Sequence, residues 1–451
     1  MSSNNNNNKK KERGDLFEGK KALQAEYDKG REPELLSSRR GTRQYSISAL
    51  LEIIVTTFID EHGGDSQALQ DAETETEKLK LVLATVDYVL AVESVNVTAD
   101  FKAEIIKSAY AELFSYGPLD KLFKDERVTT ITFEGADKAF VRYGHGELVS
   151  VSPLFETEGH LKKIARRLLL DSGTDVNDEV SLIETGLMIG ERRICVNLVF
   201  PPVTFFLTAD IRVHPVELPK MDDLIKSEIL TQQAAIFLEA IAKSTHGFII
   251  VGDTESGKTT LLGIMAAFTA IEQQKAMIAV ERAGELHLPE GVERLVVQWA
   301  SEGKDDIPLY ERVNQALETN PACLLLDEVR ADEAQAIAPL LTCDEPPRQI
   351  WTFRGTADSK RLISSLGMLA RRSDTTQGEA VVQALYRRLP FVVTIRRRKG
   401  KLQLTGISEW QFPKDAEYAD YVELMEVGWE GLELTGKRPA HDLDLADDFW
   451  D

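Results

Sequence analysis

The chain has 451 residues, of which 28% are charged and 43% hydrophobic, and its formal net charge is −21. That composition belongs to folded globular proteins rather than disordered or fibrous ones, and the length holds about two to four domains of roughly 150 residues. An average surface this acidic repels phosphate backbones, and no basic patch large enough to overcome the repulsion stands out, so nucleic acid is not an expected partner.

Three cysteines, Cys195, Cys323 and Cys343, fit neither a disulfide framework nor zinc-ligand spacing, which points to a cytosolic compartment. Met1 to Arg13 is rich in Asn and Lys and has no apolar core segment, so it is not expected to act as a secretory signal. No stretch reaches the ~18 apolar residues of a membrane span. Membrane contact is therefore expected through a partner.

Residues 1–44 contain the runs Asn4 to Asn8 and Lys9 to Lys11 and read as a disordered polar tail. Residues 45–112 read as a helical N-terminal module. Leu50, Leu51, Ile54, Val55 and Phe58, then Leu79, Leu81, Val82, Val86 and Val89, recur at helical spacing, with a loop expected over Glu61 to Glu77. Residues 113–225 show short β-branched runs at 128–133, 140–143 and 194–200 around a helical segment near 161–170, the pattern of an α+β domain.

Residues 226–412 alternate apolar strands at 248–251, 276–280, 295–298, 323–326, 349–353 and 391–395 with helical patterns, which implies a largely parallel sheet covered by helices. Residues 413–451 form a C-terminal extension. It carries Asp442, Asp444, Asp447, Asp448 and Asp451 and ends in Phe449-Trp450-Asp451, which reads as a solvated acidic tail.

The run Gly252, Asp253, Thr254, Glu255, Ser256, Gly257, Lys258, Thr259 matches G-x-x-x-x-G-K-[ST], between an apolar strand and a helical pattern that continues through Thr260. The glycines let backbone N–H groups face an anion, and the helix N-terminus adds positive potential. Lys258 reaches the outer phosphates and Thr259 can ligate Mg²⁺, so ATP and Mg²⁺ are the expected ligands. Asp253 and Glu255 oppose this, because a carboxylate beside a polyphosphate costs Coulomb energy.

Farther on, Pro321-Ala322-Cys323-Leu324-Leu325-Leu326-Asp327-Glu328 is an apolar strand ending in two carboxylates. That is the form of a strand that holds Mg²⁺ and polarises the attacking water. Asp327 and Glu328 are the expected metal partners with Thr259.

Over residues 113–412 the chain resembles the type II/type IV secretion and pilus ATPase superfamily, most closely the Tad-pilus, CpaF-like branch. The resemblance is carried by Gly117-Pro118-Leu119, Leu122, Asp125, Val128, Thr129, Ile131 and Gly135, then Gly190, Arg193, Pro201-Pro202 and Ile211-Arg212. It continues through the phosphate loop, Val280-Glu281 with Glu285-Leu286, and Glu328-Val329-Arg330 with Glu333-Ala334. The chain departs from the family pattern in several places, among them near Glu318, where the family's Arg is replaced, and at Ala322, where the Asp of its Pro-Asp pair is replaced. The Asp box is degenerate, with Arg282 for its aspartate, and the His box is missing, since no histidine lies between His287 and His441.

The resemblance implies an α/β, RecA-like P-loop domain with a mainly parallel sheet, behind an α+β N-terminal domain. It places Arg193 and Arg212 over the nucleotide, and Glu281 and Glu328 in catalysis. It further implies a cytoplasmic motor at the inner face of the membrane, a homo-hexamer or a hetero-oligomer with an active paralogue, coupled through an inner-membrane platform protein. A motor that hydrolyses ATP and a structural subunit that only binds it are both open at this point.

Overall fold

In the computed structural model, the apolar positions of the N-terminal module fall on the facing sides of three helices, Ile47–His62, Glu75–Val92 and Ala99–Phe114. Leu50, Ile54, Phe58, Val82, Val86, Val89, Ile105 and Ala109 form their shared core. The structure describes residues 36–37 and 44–450, apart from 64–65, 152, 175–180, 270–275, 301–304, 357, 399, 415–417 and 430. The polar tail expected over residues 1–44 lies almost wholly outside the described residues. The chain divides into two compact units, Met1–Asp125 and Glu126–Asp451.

In the first unit, strand β1 (Leu36–Ser37) pairs antiparallel with β2 (Gln44–Tyr45). The loop expected over 61–77 is instead partly helical. It holds the short helix Gln67–Gln70, capped by the Ser66 hydroxyl, and the start of the helix at Glu75. Thr74 and Glu77 form a reciprocal capping box there, which satisfies two otherwise orphaned backbone donors and fixes the helix start inside an acidic stretch.

The second unit begins with six antiparallel strands, β3 (Val128–Glu134), β4 (Lys138–Tyr143), β5 (Leu148–Ser150), β6 (Leu182–Ile189), β7 (Arg192–Val199) and β8 (Thr208–Val213), in the order β5-β4-β3-β8-β7-β6. The helix Glu158–Asp171 buries Leu161, Ile164, Ala165, Leu168 and Leu169, one stripe at helical spacing.

A second sheet of nine strands follows: β9 (Phe248–Gly252), β10 (Met277–Glu281), β11 (Glu293–Val296), β12 (Cys323–Val329), β13 (Arg348–Arg354), β14 (Phe391–Arg398), β15 (Lys401–Gln411), β16 (Asp420–Val427) and β17 (Leu432–Leu434). Their order is β11-β10-β12-β13-β9-β14-β15-β16-β17. The strands from β11 to β14 in that order are parallel, and β15 to β17 continue antiparallel. Phe248 and Ile250 belong to the core on one face and Ile249 and Val251 to the core on the other. Burial on both faces is why these strands read as unbroken apolar runs rather than as alternation. This is the α/β, RecA-like arrangement, with the phosphate-loop strand in the middle of a helix-covered, mainly parallel sheet.

The sheet runs on beyond residue 412, through β16 and β17. The acidic end is not a free tail. Asp442, Asp444, Asp447 and Asp448 are exposed, but Leu443, Leu445, Phe449 and Trp450 between them pack on the core. Phe449 and Trp450 each lie with ring centroids 5.7 Å from Phe237, on the helix Gln232–Lys243. Apolar residues interleaved with the carboxylates decide the outcome, because their burial favours docking while the charges still face water. Among the described residues no helix is long and apolar enough to cross a membrane.

Candidate functional site

Strand β9 ends at Gly252 and the chain turns into the helix Lys258–Ala267 through Gly257, whose φ of +86° favours glycine. Gly252 has little room for a side chain, since a Cβ there would lie 2.3 Å from the Ile395 carbonyl oxygen. Ser256 is buried and its hydroxyl has no partner among the described residues. An orphaned polar atom in this turn, beside the free N–H groups of a helix start, fits an anionic ligand. Asp253 is exposed, and Thr254 and Thr260 are half-buried on either side of the turn.

Lys258 is buried, and its ammonium donates to the Asp253 carbonyl at 2.9 Å and pairs with Glu328 Oε2 at 2.8 Å. The Thr259 hydroxyl lies 3.1 and 3.3 Å from the two Asp327 oxygens. A hydroxyl against a strand-end carboxylate is a donor set that suits Mg²⁺, so the residues present fit both a nucleotide and its metal. Burial pushes the Asp327 carboxyl up to about 6, with Glu285 adding to it, while the hydrogen bond from Thr352 on β13 opposes the rise. Burial also works against ionised Glu328, but Lys258 outweighs it and holds that carboxyl below the ordinary range.

Glu281 ends β10, and its Cα is paired in register with that of Asp327 on the adjacent β12. Its side chain is almost fully buried. One oxygen accepts the Leu286 N–H at 2.8 Å and the other lies 2.9 Å from Arg294 Nε. Burial raises its pKa to about 7 despite Arg294, and Asp327 and Glu285 add to the rise.

A small pocket opens between Thr259, Asp327 and Glu328 on one side and Glu184 of β6 and Arg212 of β8 on the other, with Arg282, Ala283 and Glu285 at its edge. Arg212 lines this pocket. Arg193 does not line this pocket, and its guanidinium lies 3.5 Å from the Gly284 carbonyl.

Glu184, Cys195 and Glu285 come within 4.8 Å of one another, a spacing open to a metal ion. One guanidinium nitrogen of Arg212 already sits among them, 3.2 Å from Glu184, 3.1 Å from Glu285 and 3.3 Å from Cys195. The two carboxylates are therefore the counter-charge of an arginine, with the neutral thiol beside them. Burial opposes ionisation of Glu285, yet Arg212 and the 2.7 Å contact with His214 hold its carboxyl below the ordinary range. Arg330 bridges Glu184 at 2.6 Å and Glu328 at 3.5 Å, and Arg282 pairs with Glu333.

Sequence reasoning did not single out Glu184, His214 or Arg142. For Glu184 a signal exists, a lone carboxylate inside the apolar run 182–189. Glu255 is the larger departure. It pairs with Arg142 of β4, with both side chains mostly buried.

Among known proteins, a Mycobacterium tuberculosis protein named for conjugal transfer is 26% identical over 319 residues, covering 66% of this chain and 89% of its own length. The fold resembles the VirB11 ATPase of the Brucella suis type IV secretion system, at 18% identity and a TM-score of 0.32 over 67% of this chain and 98% of that one. It also resembles the pilus retraction motor PilT, at 19% identity and a TM-score of 0.44 over 66% and 83%. The family described as type II/IV secretion system protein matches residues 115–340, half of the chain. With the phosphate loop and the strand-end carboxylates inside that span, the chain belongs to the type II/IV secretion system protein family.

Proposed function

We propose that this chain is an ATP-binding motor subunit of a Tad-type pilus or a type II/IV secretion machine, coupling ATP hydrolysis to assembly or export. The observation that carries the reading is the meeting of Lys258 and Thr259, at the start of one helix, with Asp327 and Glu328, at the end of a strand two places away in the sheet. In this reading the backbone N–H groups of residues 252–260, with the Lys258 ammonium, bind the phosphates. Thr259 and Asp327, with Glu328 beside them, hold Mg²⁺, and Arg212 shields the site from the small-sheet side. A bound Mg²⁺ supplies neutralisation of phosphate charge. Glu281 is the proposed base, since a carboxyl poised near neutrality can both take and release a proton.

The family's description and the relative's name, secretion and conjugal transfer, support work in a transfer or secretion machine. We accordingly assign the chain to the inner membrane face, in a hexameric or mixed ring docked on a platform protein. The test is calorimetric titration with Mg²⁺-ATP: wild type binds, and Lys258→Ala loses binding by at least about 100-fold, because one ammonium meets two phosphates. Equal affinity in both refutes the site.

A second reading, a subunit that binds nucleotide without hydrolysing it, draws on a separate observation. Both candidate catalytic carboxylates are already engaged, Glu328 by Lys258 and Glu281 by Arg294 and the Leu286 N–H. Steady-state phosphate release by the wild type, against Lys258→Ala, separates the two.

A further inference from the structure

Glu255 lies in the middle of the phosphate loop, at a φ of +59°, where most side chains are strained. A carboxylate in that turn stands near the space a polyphosphate takes, and like charges at short range in a partly buried site repel strongly. The structure gives it a partner from a different sheet. Arg142, on β4, is 113 residues away in sequence, and its guanidinium pairs with Glu255 Oε2. The two side chains are 10% and 19% exposed, so water screens the pair little. The strand is itself anchored nearby, because Arg397 of β14 donates to the His145 carbonyl just past the end of β4 at 2.6 Å.

We propose that Arg142 is a positioning residue of the nucleotide site: it holds the Glu255 carboxylate aside from the phosphates, so that an acidic phosphate loop still accepts a polyanion. The proposal rests on the nucleotide-binding reading of that loop. It makes the small sheet part of the binding machinery through a charge pair rather than through contact with the nucleotide. It also predicts a sign that a merely structural arginine would not give. Loss of Arg142 should be harmful only while Glu255 is present.

The test is a double-mutant cycle on the full chain, read by calorimetric titration with Mg²⁺-ATP. Arg142→Met keeps the buried stem and removes the charge, and should weaken binding by at least about tenfold. Glu255→Ala should bind no more weakly than wild type, and the double variant should return to within about threefold of wild type. A Met variant that binds like wild type, or a double variant as weak as the Met variant alone, overturns the proposal.

If Arg142→Met does not fold, Arg142→Lys keeps a cation at the same place. It should stay within about threefold of wild type, and a larger loss that Glu255→Ala does not relieve overturns the proposal. A wild type that does not bind Mg²⁺-ATP refutes the nucleotide reading itself. A binding wild type with a flat cycle refutes only the role of Arg142.

Discussion

Glu281→Gln tests the electrostatics of the site and its chemistry together. The folded carboxyl titrates at about 7 against an ordinary 4.5, because it is buried beside Asp327 and Glu285. A rise of about 2.5 in pKa, at about 1.4 kcal/mol for each unit, means that ionising Glu281 costs the folded state about 3 kcal/mol. Since the folded value lies above the unfolded one, the favourable contribution is complete below about pH 4.5 and is lost as the pH rises through 7.

Glutamine is neutral throughout and keeps an oxygen for the Leu286 N–H. Urea unfolding of both proteins from pH 4.5 to 8.5 should therefore show the variant gaining on wild type by about 3 kcal/mol, with most of the gain accruing between about pH 4.5 and 7 and a plateau above that. A difference that is flat with pH would mean that Arg294 keeps the carboxylate ionised despite its burial. In the same protein, a catalytic base predicts near-normal ATP affinity with kcat lowered roughly 100-fold. Unchanged turnover moves the base to Glu328, and absence of turnover in the wild type favours the non-hydrolysing subunit.

Two other substitutions probe the frame around the site. Glu409 is buried and accepts from Ala440 N at 2.7 Å, His441 N at 2.9 Å and His441 Nδ1 at 2.7 Å. Burial opposes its ionisation, but these hydrogen bonds win and lower its pKa. Glu409→Ala should cost about 2–4 kcal/mol in urea unfolding at pH 7, and the deficit should shrink as the pH falls below about 4.5. A pH-independent deficit would mean that packing, not charge, is what Glu409 supplies. A Cβ on Gly186 of β6 would lie 1.7 Å from the Ala283 carbonyl oxygen. Gly186→Ala should lower stability by about 2 kcal/mol or more and weaken Mg²⁺-ATP binding, and a melting temperature equal to wild type would show that the two backbones can separate freely.

What the sequence disclosed follows from how its residues are buried. Strands β9, β12 and β14 are hidden on both faces, so apolar runs at 248–251, 323–326 and 391–395 announce them directly. Strand β6 mixes Glu184, Thr185 and Gly186 with apolar residues and faces a pocket on one side, and β15 carries Thr405, Gly406 and the buried Glu409, so neither shows a clean period. In the site, Lys258, Thr259, Asp327 and Glu328 are legible because each sits where its motif demands it. The Arg142–Glu255 pair is not, because ion pairing across 113 residues leaves no local period. The five tail aspartates suggested solvation, and the apolar residues between them reversed the outcome.

The docking of residues 443–450 on the helix Gln232–Lys243 has a consequence for synthesis. Phe237 is synthesised 213 residues before its partner Trp450. At about 5–20 residues per second, that interval is roughly 10–40 seconds. Through that time a helix beside the phosphate-loop core presents an uncovered aromatic face. The nascent chain thus has a defined window in which a chaperone or an identical neighbour can compete for that face, and the window closes only when its own carboxyl-terminal aromatics arrive.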